Sequence, residues 1–224
     1  MFYTSRSCHN WEKLPGNSDV LNLMKGMYYS DNKYGIPVVS SLETSIPVDL
    51  VGYNETLRPK KDDWEKTIHF FLDDYKFESV WSRPDQTLSR IKKIGRALTP
   101  DFSLYMDYPI ALQIYNVYRN RWLGCYWQEN DIEVIPTVSW SGEESFDFCF
   151  EGVEKNSIVA ISTVGVRGKE VKENFILGFE EMIRRIEPKD LVVYGESMPI
   201  DFEKYVDNVY KYESFWAKRR ENLK

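Results

Sequence analysis

Three acidic residues that follow predicted strands are the first candidates for chemistry in this chain. Glu55 comes after the first predicted strand, Asp101 lies at the end of the second, and Glu196 follows the fifth. Carboxylates that converge can hold Mg²⁺ or serve as a general acid and base. We take Asp101, Glu55 and Glu196 as candidate catalytic residues, with solvated or helix-capping carboxylates as the alternative.

The same strand ends carry amides, hydroxyls, glycines and aromatic rings that could line a ligand site. These candidate ligand-binding residues are Asn54, Ser103, Thr137, Trp140, Thr163, Gly165, Arg167, Tyr194 and Gly195. Residues 162–168 precede a predicted helix, where glycine permits close backbone approach and Arg167 can fork onto a phosphate or carboxylate. The segment lacks the Lys-Ser/Thr pair of a P-loop, and a plain glycine turn is the alternative.

Basic residues cluster around the end of the second predicted helix, which begins at Pro84 and ends at Gly95. They are Arg90, Lys92, Lys93 and Arg96. Arg119 and Arg121 lie off the apolar stripe of the long helix that follows. Cations beside aromatic rings suit single-stranded nucleic acid. The formal charge of −6 disfavours bulk attraction to a polyanion, so nucleic-acid binding is an alternative and a solvated helix face the simpler interpretation.

The few histidines and cysteines exclude several mechanisms. The chain has two histidines, His9 and His69, and three widely separated cysteines, Cys8, Cys125 and Cys149. This is neither a disulfide framework nor a zinc pattern, and free thiols in a reducing cytoplasm are expected. We interpret His69 as a packed or surface residue of a helix. Histidine-based catalysis and multi-histidine metal sites are therefore disfavoured.

Strand-like and helix-like segments must position these residues. Six strands are predicted, over residues 48–53, 96–104, 132–139, 157–162, 190–195 and 209–212. The spacing of Trp64, Ile68, Phe71 and Tyr75 predicts a helix over residues 62–75. Strict alternation of strands and helices predicts right-handed βαβ units and a mainly parallel sheet.

The fold class is therefore α/β, with repeated βα units in either a partial (β/α) barrel or an open doubly wound sheet. No G-x-G-x-x-G follows the first strand, which disfavours a dinucleotide-binding Rossmann domain. Polar residues at successive strand ends favour the barrel-like arc. Parallel sheets bind ligands at the carboxyl ends of their strands, so the candidates above are expected to share one mouth.

The 224 residues fit a single α/β domain with extensions. We predict an irregular N-terminal arm over residues 1–44, the domain over residues 45–216 and a basic tail over residues 217–224. No run approaches the roughly 18 apolar residues of a membrane span. The first residues lack the apolar core of a secretory signal. We expect a cytoplasmic protein with no membrane partner.

Six stretches of the chain carry a family resemblance. They are residues 98–105, 113–124, 134–140, 148–152, 159–165 and 193–195. Their order and spacing resemble the domain-of-unknown-function family 4417, over about residues 46 to 212. The resemblance implies a setting and no activity: an accessory protein of bacteriophages, prophages or mobile elements, working in the bacterial cytoplasm. It supplies no catalytic residues to transfer.

Three functions stay open on this basis. The strand-end residues favour a cleft that binds a small anionic ligand, such as a nucleotide or phosphorylated metabolite. Whether the cleft also catalyses a hydrolytic or transfer reaction stays open. In that function Asp101 acts as the acid, base or Mg²⁺ ligand, and Thr163, Gly165 and Arg167 hold the anion. The alternatives are a non-catalytic protein that binds a host or phage macromolecule through Tyr and Trp, and single-stranded nucleic-acid binding through the basic helix.

Overall fold

Seven short parallel strands form the framework of the computed structural model, which describes residues 19–41, 44–214 and 217. The strands are β1 (Leu50–Gly52), β2 (Thr67–His69), β3 (Arg96–Leu98), β4 (Glu133–Ile135), β5 (Ile158–Ser162), β6 (Asp190–Gly195) and β7 (Asn208–Glu213). Strands β1 to β4 form one sheet and β5 to β7 a second, with every pairing parallel. The predicted α/β class is confirmed. Cys8, His9, residues 1–18 of the predicted arm and residues 218–224 of the predicted tail lie outside the described residues.

The two sheets meet just beyond the end of β4. Thr137 forms a parallel bridge with Ala160 of β5. The Val138 N–H donates to the Ala160 carbonyl at 2.8 Å, and the Ala160 N–H donates to the Pro136 carbonyl at 2.9 Å. The seven strands therefore follow one another in chain order without the reversal of a doubly wound sheet. Within the described residues no strand pair joins β7 to β1, so the arrangement is a barrel-like arc and not a closed barrel.

Within the described residues, the strands are flanked by four named α-helices. They are α1 (Ser79–Ser82), α2 (Pro84–Ile94), α3 (Ile110–Gln128) and α4 (Lys169–Ile186). Helix α2 begins with a proline, whose missing N–H would have no partner at this position, and ends at Gly95 with a φ of 79°. Among the described residues, no helix combines the length and the apolar character needed to cross a membrane.

Residues 62–75 do not form the predicted helix, and this prediction was wrong. The segment contains β2, whose residues alternate between two faces. Ile68 packs under the flanking helices, whereas Phe71 lies in the interior of the arc. Trp64 and Tyr75, the other two members of the supposed apolar face, are exposed. The helical spacing of these four residues arose by chance in a segment that contains a strand. The number of strands in the described structure is therefore seven, one more than the six predicted.

The inward faces of the strands form one apolar cluster. Its buried members are Leu50, Phe71, Leu98, Ile135, Ile158, Ala160, Val192 and Tyr194. The outward faces pack under the helices in two larger clusters. Both faces of the strands are therefore buried, as expected for a parallel sheet, and the interior is filled with side chains.

The described part of the N-terminal segment, residues 19–41, is irregular and packs against the domain. Trp122 of α3 donates its indole N–H to the Gly26 carbonyl at 2.9 Å. Ile36 and Val39 are fully buried, and Val39 forms a parallel bridge with Val153. These contacts attach the segment to the outer side of the arc.

Candidate functional site

The predicted site residues fall into two groups on the carboxyl-end rim. Asp101, Ser103, Thr137 and Trp140 follow β3 and β4. The other group follows β1, β5 and β6 and contains Asn54, Glu55, Thr163, Gly165, Arg167, Tyr194, Gly195 and Glu196. Both groups lie at the same end of the parallel strands, since every strand runs in the same direction.

Asp101 is a partly buried carboxyl group beside Ser139. Removal from solvent, together with the charge of Asp74, raises the pKa of Asp101 to about 7. A hydrogen bond with the Ser139 side chain lowers this pKa, but the effect of burial is larger. Asp101 therefore exchanges its proton near neutral pH, as a general acid or base requires.

Ser103 holds Asp74 in place next to Asp101. The Ser103 hydroxyl donates to Asp74 Oδ1 at 2.8 Å, and the Ser103 N–H donates to Asp74 Oδ2 at 3.2 Å. The carbonyl of Ser103 accepts from the Asn116 side chain at 2.7 Å. The Ser103 hydroxyl is thus committed to a carboxylate, and its contribution to a site is the position of Asp74.

A narrow crevice opens at the ends of β3 and β4. It is lined by Phe102, Leu104, Asn116, Val117, Asn120, Arg121, Thr137, Ser139 and Cys149. Its volume of about 10 Å³ matches a single water-sized group. The crevice can therefore receive one atom or small group of a ligand whose remainder lies outside.

Arg121 is a fully buried guanidinium in the wall of this crevice, with 1% exposure. It donates to the carbonyls of Thr137 at 2.7 Å, Cys149 at 3.2 Å and Glu151 at 3.1 Å, and to Asn120 Oδ1 at 2.5 Å. All four acceptors are uncharged. Within the described residues Arg121 forms no ion pair, so its charge has no compensating carboxylate.

Burial lowers the pKa of Arg121 to about 10, and the side chain stays charged at neutral pH. A buried charge is costly unless an opposite charge accompanies it. The position of Arg121 in the crevice wall therefore favours an anion there. The burial of Arg121 could not be read from its place off the apolar stripe of the helix, because its three carbonyl acceptors come from residues 137–151 and meet it only in the folded protein.

Arg119, two residues earlier on α3, has the partner that Arg121 lacks. Its Nη1 donates to both carboxylate oxygens of Glu78 at 2.9 Å. Its Nε donates to Asn116 Oδ1 at 3.0 Å, and the guanidinium lies 3.7 Å from the ring centroid of Phe102. The charge of Arg119 is therefore compensated by Glu78, and its side chain holds Asn116 and Phe102, which line the crevice.

Thr137 is buried and bonded to the neighbouring strand end. Its hydroxyl donates to the Thr99 carbonyl and its N–H to the Thr99 hydroxyl, both at 2.7 Å. The carbonyl of Thr137 is the part that contacts Arg121. Trp140 packs on Phe175 with ring centroids 5.1 Å apart, which directs it toward α4.

The second group is built around a tight turn after β5 and β6. The Thr163 hydroxyl donates to the Glu196 carbonyl at 2.8 Å. Gly195 has a φ of 133°, and a side chain there would collide with the Thr163 hydroxyl oxygen. Arg167 is highly exposed, with Nη2 3.8 Å from Glu196 Oε1, and Gly165 has a φ of 83°. The structure brings these residues together, with the threonine hydroxyl already engaged.

His69 joins this second group and was missed by the sequence analysis. It is buried at the end of β2, with its ring centroid 4.4 Å from that of Tyr194. A Cβ atom added to Gly52 would lie within 4 Å of His69 Nε2, Glu55 Oε2 and Asn54 Oδ1, so these side chains share one place on the rim. Glu55 Oε2 also accepts from the Gly52 N–H at 3.3 Å.

The signal for His69 was present in residues 67–71. Thr67, His69 and Phe71 alternate with Ile68 and Phe70, which is the period-two pattern of a strand. β-Branched and aromatic residues also favour strands. The longer helical spacing obscured it.

The basic cluster spans the second half of α2 and the start of β3. Arg96 begins β3, and its Nε lies 3.1 Å from Glu133 Oε2. The guanidinium of Arg90 lies 3.8 Å from the ring centroid of Tyr53. Lys92 and Lys93 are exposed in the last turn of α2, where cations interact favourably with the helix dipole. Two of the four cations are thus engaged within the protein.

Within the described part of the chain, no group of three or more His, Cys, Asp or Glu residues is arranged to hold a metal ion. Asp101 belongs to one rim group and Glu55 and Glu196 to the other.

A larger surface hollow of about 710 Å³ lies at the carboxyl end of α4. It is lined by Asp31, Val38, residues 150–155 and residues 184–186, and by none of the predicted site residues. Arg184 and Arg185 both contact Glu181 at 2.6 Å, and these cations lower the pKa of Glu181 to about 2. The arginines of this hollow therefore already have a carboxylate partner.

The family model described as "Domain of unknown function (DUF4417)" matches residues 28–213. The chain therefore belongs to this family, and the resemblance seen in the sequence is confirmed. The match begins at residue 28, inside the segment predicted as an arm.

Two bacteriophage proteins are similar over nearly the whole chain. The Gene 1 protein of Mycobacterium phage L5 is 42% identical over 221 residues, which cover 96% of this chain and 94% of the relative. The Gene 1 protein of Mycobacterium phage D29 is 40% identical over 226 residues, which cover 99% of this chain and 82% of the relative. No solved structure matches.

Proposed function

We propose that this member of the DUF4417 family binds a small anionic ligand at the carboxyl ends of β3 and β4. An anionic oxygen of the ligand enters the crevice beside Arg121, and Asp101 exchanges a proton with the ligand near neutral pH. The observation that carries the proposal is the buried Arg121 guanidinium, whose described partners are all uncharged.

The charge and size of the crevice both support an anionic group. An anion beside Arg121 compensates a buried charge and can accept a hydrogen bond from the Asn116 side-chain amide, which also lines the crevice and uses one N–H on the Ser103 carbonyl. A volume of about 10 Å³ fits one oxygen and excludes a whole metabolite. Phosphate esters and carboxylates both offer such an oxygen.

Asp101 makes the proposed binding depend on pH. The protonated acid can donate a hydrogen bond to an anion, whereas the ionised form repels it. Because the pKa of Asp101 is raised to about 7, affinity for the anion is expected to fall as the pH rises from 6 to 8. In the Asp101→Asn variant this dependence is expected to disappear, apart from the titration of the ligand itself.

Calorimetric titration with inorganic phosphate and with ribose 5-phosphate tests the proposal. The matched variants are Arg121→Lys and Arg119→Lys, which change two arginines of one helix and keep the charge of both. We expect Arg121→Lys to weaken binding of both probes at least tenfold and Arg119→Lys to change it less than threefold. Circular dichroism checks that both variants are folded.

Two results would contradict this proposal. One is the absence of heat with either probe at millimolar concentration. The other is binding that survives Arg121→Lys and is lost in Arg185→Lys, since this would locate the anion in the larger hollow at the end of α4.

A second candidate function is the binding of a host or phage macromolecule. The observation that favours it is a run of eight exposed residues, 105–112, that includes Tyr105, Met106 and Leu112. Exposed apolar patches often mark interaction surfaces. A photo-crosslinking amino acid at Tyr108 should then capture one defined partner in phage-infected cells, whereas the same probe at Tyr29 should not.

The remaining expectations stay predictions. The phage relatives support a setting in the cytoplasm of an infected bacterium, which cell fractionation can test. Single-stranded nucleic-acid binding through the basic helix rests on Lys92 and Lys93, because Arg90 and Arg96 are engaged. It predicts retention on single-stranded DNA that falls steeply with salt.

A further inference from the structure

We infer that the anionic ligand carries a planar aromatic ring, as a nucleoside monophosphate does, and that the ring lies on residues 105–112, the apolar rim segment. This inference rests on the proposed anion site and adds the chemistry of the ligand's other end. It comes from the position and the composition of the apolar rim segment.

The apolar rim segment exposes an unusual set of side chains. All eight residues are exposed, including Tyr105 at 56%, Met106 at 69% and Leu112 at 50%. Asp107 is its only charged residue. Single exposed apolar residues are ordinary, but a continuous run of them is typical of a surface that a ligand or partner covers.

The apolar rim segment is joined to the crevice at both of its ends. Leu104 lines the crevice and is followed directly by Tyr105. At the other end, Leu112 lies one helical turn before Asn116, which also lines the crevice. Both ends of the segment thus continue from residues of the crevice wall, and we place the remainder of the ligand on this segment.

Internal contacts hold the apolar rim segment in one conformation. The Tyr108 N–H donates to the Tyr105 carbonyl at 3.0 Å, and the two rings pack edge to face with centroids 5.0 Å apart. Gln113 donates to the Tyr108 carbonyl at 2.9 Å and accepts from the Ser141 hydroxyl at 2.6 Å. A preformed aromatic surface binds a ring at a lower entropic cost than a mobile one.

The chemistry of the two neighbouring surfaces selects the ligand class. The crevice offers a cation and the Asn116 amide for one oxygen, and the segment offers aromatic and thioether side chains for a flat apolar face. Base–aromatic stacking tolerates any nucleobase, because each has a π face. A phosphorylated nucleoside supplies both groups in one molecule, whereas a sugar phosphate supplies only the anion.

Calorimetric titration with four probes tests the inference on the full chain. The probes are inorganic phosphate, ribose 5-phosphate, adenosine 5′-monophosphate and adenosine. We expect adenosine 5′-monophosphate to bind at least tenfold more tightly than ribose 5-phosphate. The exposed Tyr105→Ala variant should lose about tenfold in affinity for adenosine 5′-monophosphate and keep its ribose 5-phosphate affinity within twofold. The matched control is Tyr29→Ala, an exposed tyrosine of the N-terminal segment, which should change neither.

The results separate this inference from the proposal on which it rests. Equal affinities for ribose 5-phosphate and adenosine 5′-monophosphate, or a Tyr105→Ala variant with unchanged nucleotide affinity, would overturn the inference while the anion site stands. Absence of binding by every phosphorylated probe would overturn both. Capture of a protein at Tyr108, together with nucleotide affinity unaffected by Tyr105→Ala, would assign the segment to a macromolecular partner and count against the ring.

Discussion

Arg119 and Arg121 lie two residues apart in α3 and are both buried, but they contact different partners. Arg119 forms a forked ion pair with Glu78 and lies over the Phe102 ring. Arg121 is enclosed by three carbonyls and one amide oxygen. The positive charge of Arg119 is therefore stabilised by a carboxylate, whereas that of Arg121 is stabilised by the dipoles of uncharged groups.

This difference separates a structural arginine from a candidate binding residue. An ion pair leaves little net charge for a ligand, whereas carbonyl dipoles satisfy the N–H donors and leave the positive charge uncompensated. The same contrast recurs between carboxylates. Glu181 is ionised down to about pH 2 by two arginines, whereas burial brings the pKa of Asp101 to about 7. At the rim between β3 and β4, uncharged groups therefore hold the Arg121 charge, and burial is the main influence on the pKa of Asp101.

The largest expected effect comes from removing each arginine in turn. Arg121→Ala removes a donor from each of four acceptors, and we expect a loss of about 4 kcal/mol in the free energy of unfolding. Arg119→Ala leaves Glu78, whose side chain is 44% exposed and can be hydrated, so we expect about 1 to 2 kcal/mol. Urea denaturation at pH 7 measures both. Equal losses would remove the distinction between the two sites.

A smaller effect is expected from Asp101→Asn, and its size depends on pH. The pKa of Asp101 is raised on folding, so the folded state binds more protons than the unfolded state between about pH 4 and 7. The stabilising contribution of the protonated acid is complete at low pH and is lost as the pH rises through 7. Asn cannot ionise and escapes this loss.

We therefore expect Asp101→Asn to be more stable than the wild type by about 1 to 3 kcal/mol at pH 8 and nearly equal to it at pH 4. Thermal denaturation across this range measures the difference. A variant that is destabilised equally at both pH values would show that Asp101 is not held in a protonation-sensitive environment.

The smallest effect is expected from Glu181→Gln, with the opposite dependence on pH. Arg184 and Arg185 lower the pKa of Glu181, so its stabilisation is present above the unfolded pKa and is lost as the pH falls toward 2. The pair is near the surface, and we expect a loss of at most about 1 kcal/mol at pH 7. The same denaturation series should give no difference between variant and wild type near pH 2. A loss that persists there would point to packing instead of charge.

The fold was predictable where local patterns agreed with the tertiary structure. The strand predicted over residues 190–195 matches β6, because a continuous apolar run suits a strand buried on both faces. Gly95 ends α2 as predicted, since its positive φ favours glycine. The prediction for the segment containing β2 was wrong because four apolar residues had helical spacing by chance. For the same reason His69 was assigned to a helix and not to a strand end.

The site was predictable only in part, for a physical reason. Asp101 could be placed at a strand end, but its raised pKa depends on burial and on Asp74, which is distant in sequence. Arg121 was assigned to a polar face, because arginine is seldom fully buried. Its carbonyl partners reach it only when the segments after β4 fold over α3, and no local pattern encodes that.

The most direct test of the account follows the side-chain Nε–H resonances of the arginines by NMR while ribose 5-phosphate is added at pH 6. The account predicts that the Arg121 resonance shifts and saturates, while those of Arg119, Arg184 and Arg185 stay in place. A stationary Arg121 resonance, with saturating shifts at Arg184 or Arg185 instead, would contradict the claim that the uncompensated cation of the β3–β4 rim holds the anion.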